Sequence, residues 1–159
     1  MTTSSERTKL NLGCGNYLLD DAVNHNLVKH RPEVDVVWDL NNLPWPWPDE
    51  RFESVLARAV LEHLQIDLLT SINECWRIMK PGGKLSVKLP YWNAEASHND
   101  LTHRHYVGLG IFDGLDPDTE YGRQYDFYTD RKFHITKVTL NNSKTSVWGW
   151  LTKLEKKSK

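Results

Sequence analysis

The stretch TKLNLGCGN, residues 8–16, decides the fold of this chain. We predict that residues 9–12 form a short buried strand, which breaks at Gly13 and Gly15 into a tight turn. Glycine adopts positive φ at little cost and carries no side chain, so a ligand can approach the main-chain N–H groups of such a turn. Open α/β sheets bind nucleotide-like cofactors at this position. The same pattern also fits a plain turn, so the rest of the chain must decide.

A nicotinamide dinucleotide is disfavoured by two departures from its sequence fingerprint. That fingerprint has another glycine where this chain has Leu18, and an acidic residue that closes the second strand. Glu33 lies at about the right distance, but it precedes an apolar run instead of ending one. The turn is therefore not predicted to bind a dinucleotide.

The composition predicts one globular domain spanning residues 1–159, with residues 1–7 as a flexible tail. The chain is 39% hydrophobic and 26% charged, with a formal net charge of −1, so nothing in its charge indicates a nucleic-acid partner. Cys14 and Cys75 are too few for a disulfide framework, which predicts a cytoplasmic setting. The polar N-terminus resembles neither a signal peptide nor a transmembrane segment.

Periodicity predicts alternating strands and one clear helix. Leu68, Ile72 and Trp76 belong to an apolar stripe at helical spacing over residues 64–80, and the Pro-Gly-Gly at 81–83 ends that helix. One or two helical turns are predicted within 108–115, and a bulge or turn near Thr136. The predicted strands cover residues 9–12, 23–28, 34–40, 52–58 and 84–89, with one or two more within 127–140.

One face of the predicted sheet has a reduced helix layer. Strand 84–89 alternates apolar with polar residues, whereas strands covered on both faces are usually apolar throughout. The first crossover, after Asn16, is also too short for a regular helix. The thin face would then meet water, the C-terminal segment or a second subunit, which would make a homodimer.

The C-terminal segment, residues 143–159, is predicted to be amphipathic and basic. Val147, Trp150, Leu151 and Leu154 form a helical stripe opposite several lysines. Such a helix can lie on a membrane surface, but packing over the thin sheet face or a partner is the favoured interpretation.

Several motifs resemble the type 11 subset of class I S-adenosylmethionine-dependent methyltransferases. The resemblance implies an α/β, Rossmann-like fold with a mostly parallel sheet and an antiparallel edge strand. It implies transfer of a methyl group from S-adenosyl-L-methionine to an acceptor, expected to be a small molecule or a glycan. The motifs are LNLGCGN at 10–16, VNHNL at 23–27, LPWPWPDERFESV at 43–55, VLEHL at 60–64, ECWRIMKPGGKLSV at 74–87 and NDLTHRHY at 99–106.

The same resemblance implies a set of cofactor-binding residues. Asn11 and Asn26 stand where related enzymes carry acids toward the amino group and the ribose of the cofactor. These two substitutions leave open an alternative, a catalytically inactive binding or assembly module. Asp39 matches a residue that reads the adenine amine, although it also fits a turn-forming aspartate. The implied set is Asn11, Leu12, Gly13, Cys14, Gly15, Asn26, Asp39, Leu40 and Arg58.

The candidate catalytic residues follow the fourth and fifth strands. Methyl transfer needs alignment above all, and a base only where the acceptor is a hydroxyl or a protonated amine. His63 matches the histidine of the VLEHL motif, but it also fits a helix-start histidine bonded to the backbone. The candidates are His63, His103, His105 and Tyr91, together with His98 and Asp100 of the same polar loop.

The remaining reactive and aromatic residues have alternative interpretations. The spacing H-x-D-x-x-H-x-H, from His98 to His105, offers metal ligands but matches no defined motif, so no metal is predicted. A metal-dependent hydrolase that uses this loop is a third functional option. Cys14 has no adjacent base and is not predicted to be a nucleophile. Trp45, Trp47 and Trp92 either line an acceptor pocket or pack in the core.

Overall fold

A computed structural model describes residues 6–156 of the chain. Among them are two α-helices, α1 (Leu68–Ile78) and α2 (Glu120–Gln124), and four short 3₁₀ turns at Leu61–His63, Glu95–His98, Asp113–Leu115 and Asp126–Tyr128. The seven strands are β1 (Lys9–Leu12), β2 (Ala22–Asn26), β3 (Val36–Val37), β4 (Phe52–Arg58), β5 (Met79–Pro90), β6 (Phe133–Leu140) and β7 (Ser146–Lys153).

The strands form one sheet in the order β3-β2-β1-β4-β5-β7-β6. The first five are parallel, and β7 pairs antiparallel with both β5 and β6. The sheet thus has a parallel centre and an antiparallel edge, which confirms the predicted Rossmann-like architecture.

The N-terminal half follows the sequence prediction closely, with β1 and β4 at the predicted residues. No helix forms between β1 and β2, so the short first crossover is confirmed. Strand β3 is only Val36–Val37, much shorter than the predicted 34–40. Of the predicted flexible tail, residues 1–5 lie outside the described part of the chain. Arg7 is anchored, because its guanidinium donates to the Ala22 carbonyl at 2.6 Å and to Asp35 at 2.6 Å.

Helix α1 is shorter at both ends than the predicted 64–80. Asp67 is its N-cap residue, and its carboxylate accepts the Thr70 N–H at 2.7 Å, which fixes the start at Leu68. At the other end Met79 is already extended, with φ −90° and ψ 145°, and begins β5 before the Pro-Gly-Gly segment is reached. The stripe predicted the buried face only in part: Ile72 is 2% exposed, but Leu68 and Trp76 are half-buried. The fully buried residues of the helix are Ser71, Ile72, Glu74, Cys75 and Ile78.

One face of the sheet carries the core, and the other is thinly covered. Leu85, Val87 and Leu89 of β5 are buried, whereas Lys84 of the same strand is exposed. On the buried face Phe112 packs against Gly149 of β7, where an added Cβ would lie 2.4 Å from the phenyl ring. The reduced helix layer is thereby confirmed.

The predicted C-terminal helix is wrong, because residues 146–153 form strand β7. The apolar stripe at 147, 150, 151 and 154 gives way to strand alternation, with Val147 and Leu151 buried and Trp148 and Trp150 half-buried on the opposite face. Lys153, assigned to a polar helix face, is buried and donates to the Met79 carbonyl at 2.6 Å. Residues 157–159 of the predicted segment lie outside the described part.

Two further sequence expectations can be checked in the same region. The bulge near Thr136 is confirmed, since the β6–β7 register shifts between Ile135 and Lys137. Within 108–115, one 3₁₀ turn forms at Asp113–Leu115.

Within the described range, none of the helices has the length and apolarity that crossing a bilayer requires.

Candidate active site

Two adjoining cavities open at the carboxyl ends of β1, β2 and β4, where open α/β sheets bind ligands. The first has a volume of about 350 Å³, and Asn26, Asp39 and His63 lie in its wall. The second, of about 400 Å³, lies over the glycine turn and Arg58. We call the two together the cleft. Of the nine predicted cofactor residues, seven line it: Gly13, Cys14, Gly15, Asn26, Asp39, Leu40 and Arg58.

The two glycines of the turn serve different purposes. Both have positive φ, 61° at Gly13 and 50° at Gly15. A Cβ on Gly13 would lie 2.3 Å from Cγ2 of Val60, so this glycine lets the β4 exit pack against the turn. A Cβ on Gly15 would meet nothing within 4 Å, so its surface faces open space in the cleft. Gly15 is therefore the point where a ligand can reach the main chain.

His25, on β2, occupies the two N–H groups that the sequence left for a ligand. The Gly13 N–H donates to Nδ1 of His25 at 3.1 Å, and the Cys14 N–H donates to the His25 carbonyl at 2.8 Å. The expectation that these two N–H groups face a ligand is therefore wrong. Since Nδ1 accepts, Nε2 carries the proton and donates to the Trp38 carbonyl at 3.0 Å. Burial lowers the pKa of His25 and keeps the ring neutral.

Asn11 and Leu12 lie beneath the cleft and do not line it. The Asn11 side chain is 1% exposed, and its amide donates to the Tyr17 carbonyl at 2.6 Å and to Oδ1 of Asn24 at 2.9 Å. Leu12 belongs to the core. Asn11 thus holds the short first crossover in place, a role that a carboxylate, which lacks donors, would not fill.

Asn26 and Asp39 reach the cleft from the ends of the second and third strands. The Asn26 amide is within 3.0 Å of Nδ1 of His30, whose Nε2 donates to the Gly15 carbonyl at 2.9 Å. Oδ1 of Asp39 accepts the N–H of Asn41 at 2.9 Å, as in the turn-forming interpretation. Both side chains nevertheless line the first cavity.

The second cavity carries a positive charge and a strained residue. The Arg58 guanidinium lies over the Tyr17 ring, 4.6 Å from its centroid. The next residue, Ala59, has φ 54° although it is not glycine, and it lines both cavities. Such strain often clusters at functional sites, although Glu50 and Lys144, which do not line the cleft, also have positive φ.

His63 lines the first cavity and has a defined tautomer. The Thr102 hydroxyl donates to Asp100 at 2.6 Å, so it can only accept from Nδ1 of His63, 2.7 Å away. The proton is therefore on Nδ1, and Nε2 keeps its lone pair. Burial, followed by the nearby His103, lowers the pKa of His63, which favours the neutral ring.

His103 and Glu62 lie beside His63. The rings of the two histidines are 4.8 Å apart, and Nδ1 of His103 donates to the Ser97 carbonyl at 2.8 Å. Glu62 is 2% exposed, and burial raises the pKa of its carboxyl to about 7. Its Oε1 lies 4.0 Å from Nε2 of His103, and its Oε2 has no hydrogen-bond partner within residues 6–156.

The other candidate catalytic residues lie away from the cleft. His105 donates from Nε2 to the Ile66 carbonyl at 3.2 Å, and His98 donates to the Trp92 carbonyl at 3.0 Å. Tyr91 pairs with Val107 in an isolated bridge. His98, Asp100, His103 and His105, which the loop spacing offered as possible metal ligands, are therefore not brought together as one set.

Trp45, Trp47 and Trp92 do not form an acceptor pocket. Trp45 and Trp47 are core residues, 2% and 8% exposed, as the packing interpretation expected. Trp92 is 56% exposed and does not line the cleft. Cys14 is buried, and burial raises the pKa of its thiol, which agrees with the prediction that it is not a nucleophile.

Sequence reasoning missed two residues of this site, His25 and Glu62. His25 follows Val23 by two positions, so the two side chains lie on the same side of the strand. This spacing predicted that His25 is buried, but it did not show that His25 belongs to the site. Glu62 stands in a 3₁₀ turn, where no periodicity marks the buried side.

The fold and this cleft can now be compared with known proteins. The structure has the fold of class I methyltransferases. Residues 10–87 match the type 11 family model, which is described as a methyltransferase domain. No curated protein matches the sequence.

Solved structures share the fold at low identity. A chain of the complex that contains the Haloferax volcanii Trm112 methyltransferase activator is 13% identical, with a TM-score of 0.64, covering 100% of this chain and 87% of that one. The Burkholderia thailandensis 1,6-didemethyltoxoflavin-N1-methyltransferase, solved with S-adenosylhomocysteine, is 13% identical, with a TM-score of 0.57 and coverages of 92% and 71%. A SAM-dependent methyltransferase from Archaeoglobus fulgidus is also 13% identical, with a TM-score of 0.56 and coverages of 94% and 88%.

Proposed function

We propose that this protein transfers a methyl group from S-adenosyl-L-methionine to a small-molecule or glycan acceptor. The observation that carries the proposal is the cleft, which runs from Asn26 and Asp39, past the open surface of Gly15, to Arg58 on one side and His63 on the other. The family match over residues 10–87 supports the same activity.

The residues of the cleft fit the cofactor in their chemistry. Oδ1 of Asn26 can accept from ribose hydroxyls while its amide is held by His30. Asp39 and Leu40 line the end of the cavity where we place the adenine. The Arg58 guanidinium supplies a positive charge for the methionine carboxylate. The open face of Gly15 leaves room for the ligand beside the main chain.

The chain contributes alignment and a proton acceptor. When bound, the cofactor supplies an activated methyl group on a sulfonium. The cleft walls would hold the donor in position, and alignment accounts for most of what such a displacement requires. Where the acceptor is a hydroxyl or an ammonium, Nε2 of His63 can take its proton, because Nδ1 is already committed to Thr102. His103 stands beside it as a second candidate, whereas His105 and Tyr91 do not line the cleft and are not proposed.

We further propose a cytoplasmic setting and a homodimer formed through the thin sheet face. Cys14 and Cys75 are both free thiols, which agrees with a reducing compartment. On the thin face the half-buried rings of Trp148 and Trp150 stack at 5.6 Å. Sedimentation equilibrium would show a monomer if this part of the proposal is wrong.

Calorimetric titration with S-adenosylhomocysteine tests the cofactor assignment, using a matched pair of glycine variants. Gly15→Ala places a Cβ in the cleft, whereas Gly82→Ala places one in open space after helix α1, at a similarly positive φ of 73°. Both variants carry the same kind of backbone strain. We expect wild type and Gly82→Ala to bind alike. Gly15→Ala should bind at least about 10-fold more weakly, which is about 1.4 kcal/mol, because its Cβ obstructs the approach of the ligand to the main chain. Equal affinities for the two variants, or no binding to wild type, would exclude the cleft as the cofactor site.

A further inference from the structure

Three side chains beside the cleft offer ligand atoms to a common centre. One atom from each of Glu62, His63 and His103 lies within 4.8 Å of the others. Glu62 and His103 line a separate small cavity of about 190 Å³, while His63 lines the cleft. The cluster therefore stands between two spaces from which an ion can enter.

We propose that Glu62, His63 and His103 bind a divalent transition-metal ion, of which Zn²⁺ is the best match. Two histidines and one carboxylate form a ligand set that zinc uses in catalytic sites, with the fourth tetrahedral position left open. This set differs from the one that the polar loop suggested, because Glu62 comes from the turn after β4 and neither His98 nor His105 takes part.

The unpartnered oxygen of Glu62 is the first observation that favours a ligand. Its Oε2 is buried and has no hydrogen-bond partner within residues 6–156, whereas buried carboxylates are normally satisfied. A bound cation would satisfy this oxygen, for which the described part of the protein supplies no hydrogen-bond donor. The backbone of Glu62 is held in place, since its carbonyl accepts the Arg104 N–H at 2.7 Å.

The second observation is the orientation of both imidazoles. Metal-binding histidines nearly always donate their other ring N–H to a carbonyl, a hydroxyl or a carboxylate, which frees one nitrogen for the metal. Nδ1 of His103 donates to the Ser97 carbonyl, and Nδ1 of His63 donates to the Thr102 hydroxyl, itself bonded to Asp100. Each ring is thus left with an unprotonated Nε2.

The ligand atoms have to approach one another for a metal to bind. With metal–ligand bonds of about 2.1 Å, the donor atoms of a tetrahedral site are about 3.4 Å apart. Oε1 of Glu62 lies 4.0 Å from Nε2 of His103, and the three ligand atoms lie within 4.8 Å of one another, so the approach needed is at most about 1.4 Å. With Nε2 of His63 bound to the cation, that nitrogen could no longer take the acceptor's proton, and the open position of the cation would activate an acceptor hydroxyl or amine in its place. That consequence rests on the proposed function, whereas metal binding itself does not.

Zinc titration of the untagged full chain, without the methyl donor or its product, tests this site. After treatment with a chelator and desalting, the protein is titrated with Zn²⁺ against a chromophoric competitor, and retained zinc is measured by elemental analysis. We expect about one equivalent in wild type and, for His103→Gln, an affinity reduced at least about 10-fold, because one ligand is lost. Mg²⁺ at the same concentration should not compete, since it prefers oxygen ligands.

His98→Gln is the matched control, because His98 lies in the same polar loop but outside the cluster. It should bind zinc like wild type, and circular dichroism should show both variants folded. Failure of wild type to retain zinc, or an equal loss in His98→Gln and His103→Gln, would overturn the proposal. Because no cofactor is present, neither result bears on S-adenosylmethionine binding.

Discussion

The histidines at the two ends of the cleft differ in how many of their ring nitrogens have hydrogen-bond partners. At the β2 end, both ring nitrogens of His25 have partners in the chain, the Gly13 N–H and the Trp38 carbonyl. At the other end, each of His63 and His103 uses only Nδ1, and the neighbouring Glu62 has an oxygen with no partner within the described residues. A fully paired polar group stabilises a fold, whereas convergent unpaired groups are available to a ligand. The β2 end is therefore scaffold, and the His63 end is the site of binding or chemistry.

Truncation of His25 is expected to have the largest effect. His25→Ala leaves a buried N–H and a buried carbonyl unpaired and opens a cavity beside Trp47, whose ring centroid is 5.4 Å from the imidazole. We expect the free energy of unfolding to fall by about 3 kcal/mol in urea denaturation. His98 is exposed, so His98→Ala should change the free energy of unfolding by less than about 0.5 kcal/mol. Similar losses for the two variants would contradict the scaffold role of His25.

Replacement of Glu62 should raise the free energy of unfolding, whereas truncation of His25 lowers it. Glu62→Met removes a buried, unpartnered oxygen and keeps the side-chain volume, so the metal-free protein should gain about 1 to 2 kcal/mol. Thermal unfolding in a chelating buffer at neutral pH measures this gain. Stabilisation by loss of a polar group is typical of functional sites, where activity is retained at the expense of stability. A loss of stability would show that Glu62 belongs to the scaffold instead.

The pH dependence of the free energy of unfolding is a third test of the scaffold role of His25. The pKa of His25 is lowered in the fold from about 6.5, so below that pH the unfolded state binds the extra proton and the free energy of unfolding falls with acid. The fall approaches about 1.4 kcal/mol per pH unit for this one group. His25→Gln can keep both hydrogen bonds but cannot be protonated.

Urea titrations of wild type and His25→Gln between pH 7.5 and about 5.5 would measure that difference. The other histidines are common to both proteins, so their titration cancels in the comparison. We expect a flatter profile for the variant, and parallel profiles would show that His25 is not held neutral.

The comparison also explains how far the sequence could predict the molecule. Strands β1 and β4 were predicted at their observed residues, because short apolar runs there end at a glycine turn and at a charged residue. Strand β7 was mistaken for a helix, because its buried face includes Gly149 and Lys153, which look unlike core residues. Gly149 is buried by Phe112, and Lys153 by the Met79 carbonyl and the Trp76 ring, 3.7 Å away.

The site was predicted where local motifs define it and missed where distant segments meet. The glycine turn and His63 lie in recognisable motifs. The pairing of His25 with Trp38 and the meeting of Glu62 with His103 join residues 13 and 41 positions apart, and no local pattern records such contacts. His25 and Glu62, the residues that distinguish the scaffold from the site, are therefore the ones that could not be predicted from the sequence.

The smallest expected change in stability tests whether the His63 end is tuned for binding. Thr102→Val removes the hydroxyl between His63 and Asp100, and because Thr102 is exposed the free energy of unfolding should change by less than about 0.5 kcal/mol. Without that hydroxyl, Nδ1 of His63 loses its acceptor and the ring its fixed orientation, so zinc affinity should fall by about 10-fold. Thr102→Ser keeps the hydroxyl and should retain wild-type affinity. A variant that binds zinc normally without the hydroxyl would mean that His63 is oriented by its packing alone. A large loss of stability would instead place Thr102 with His25, among the residues that hold the fold.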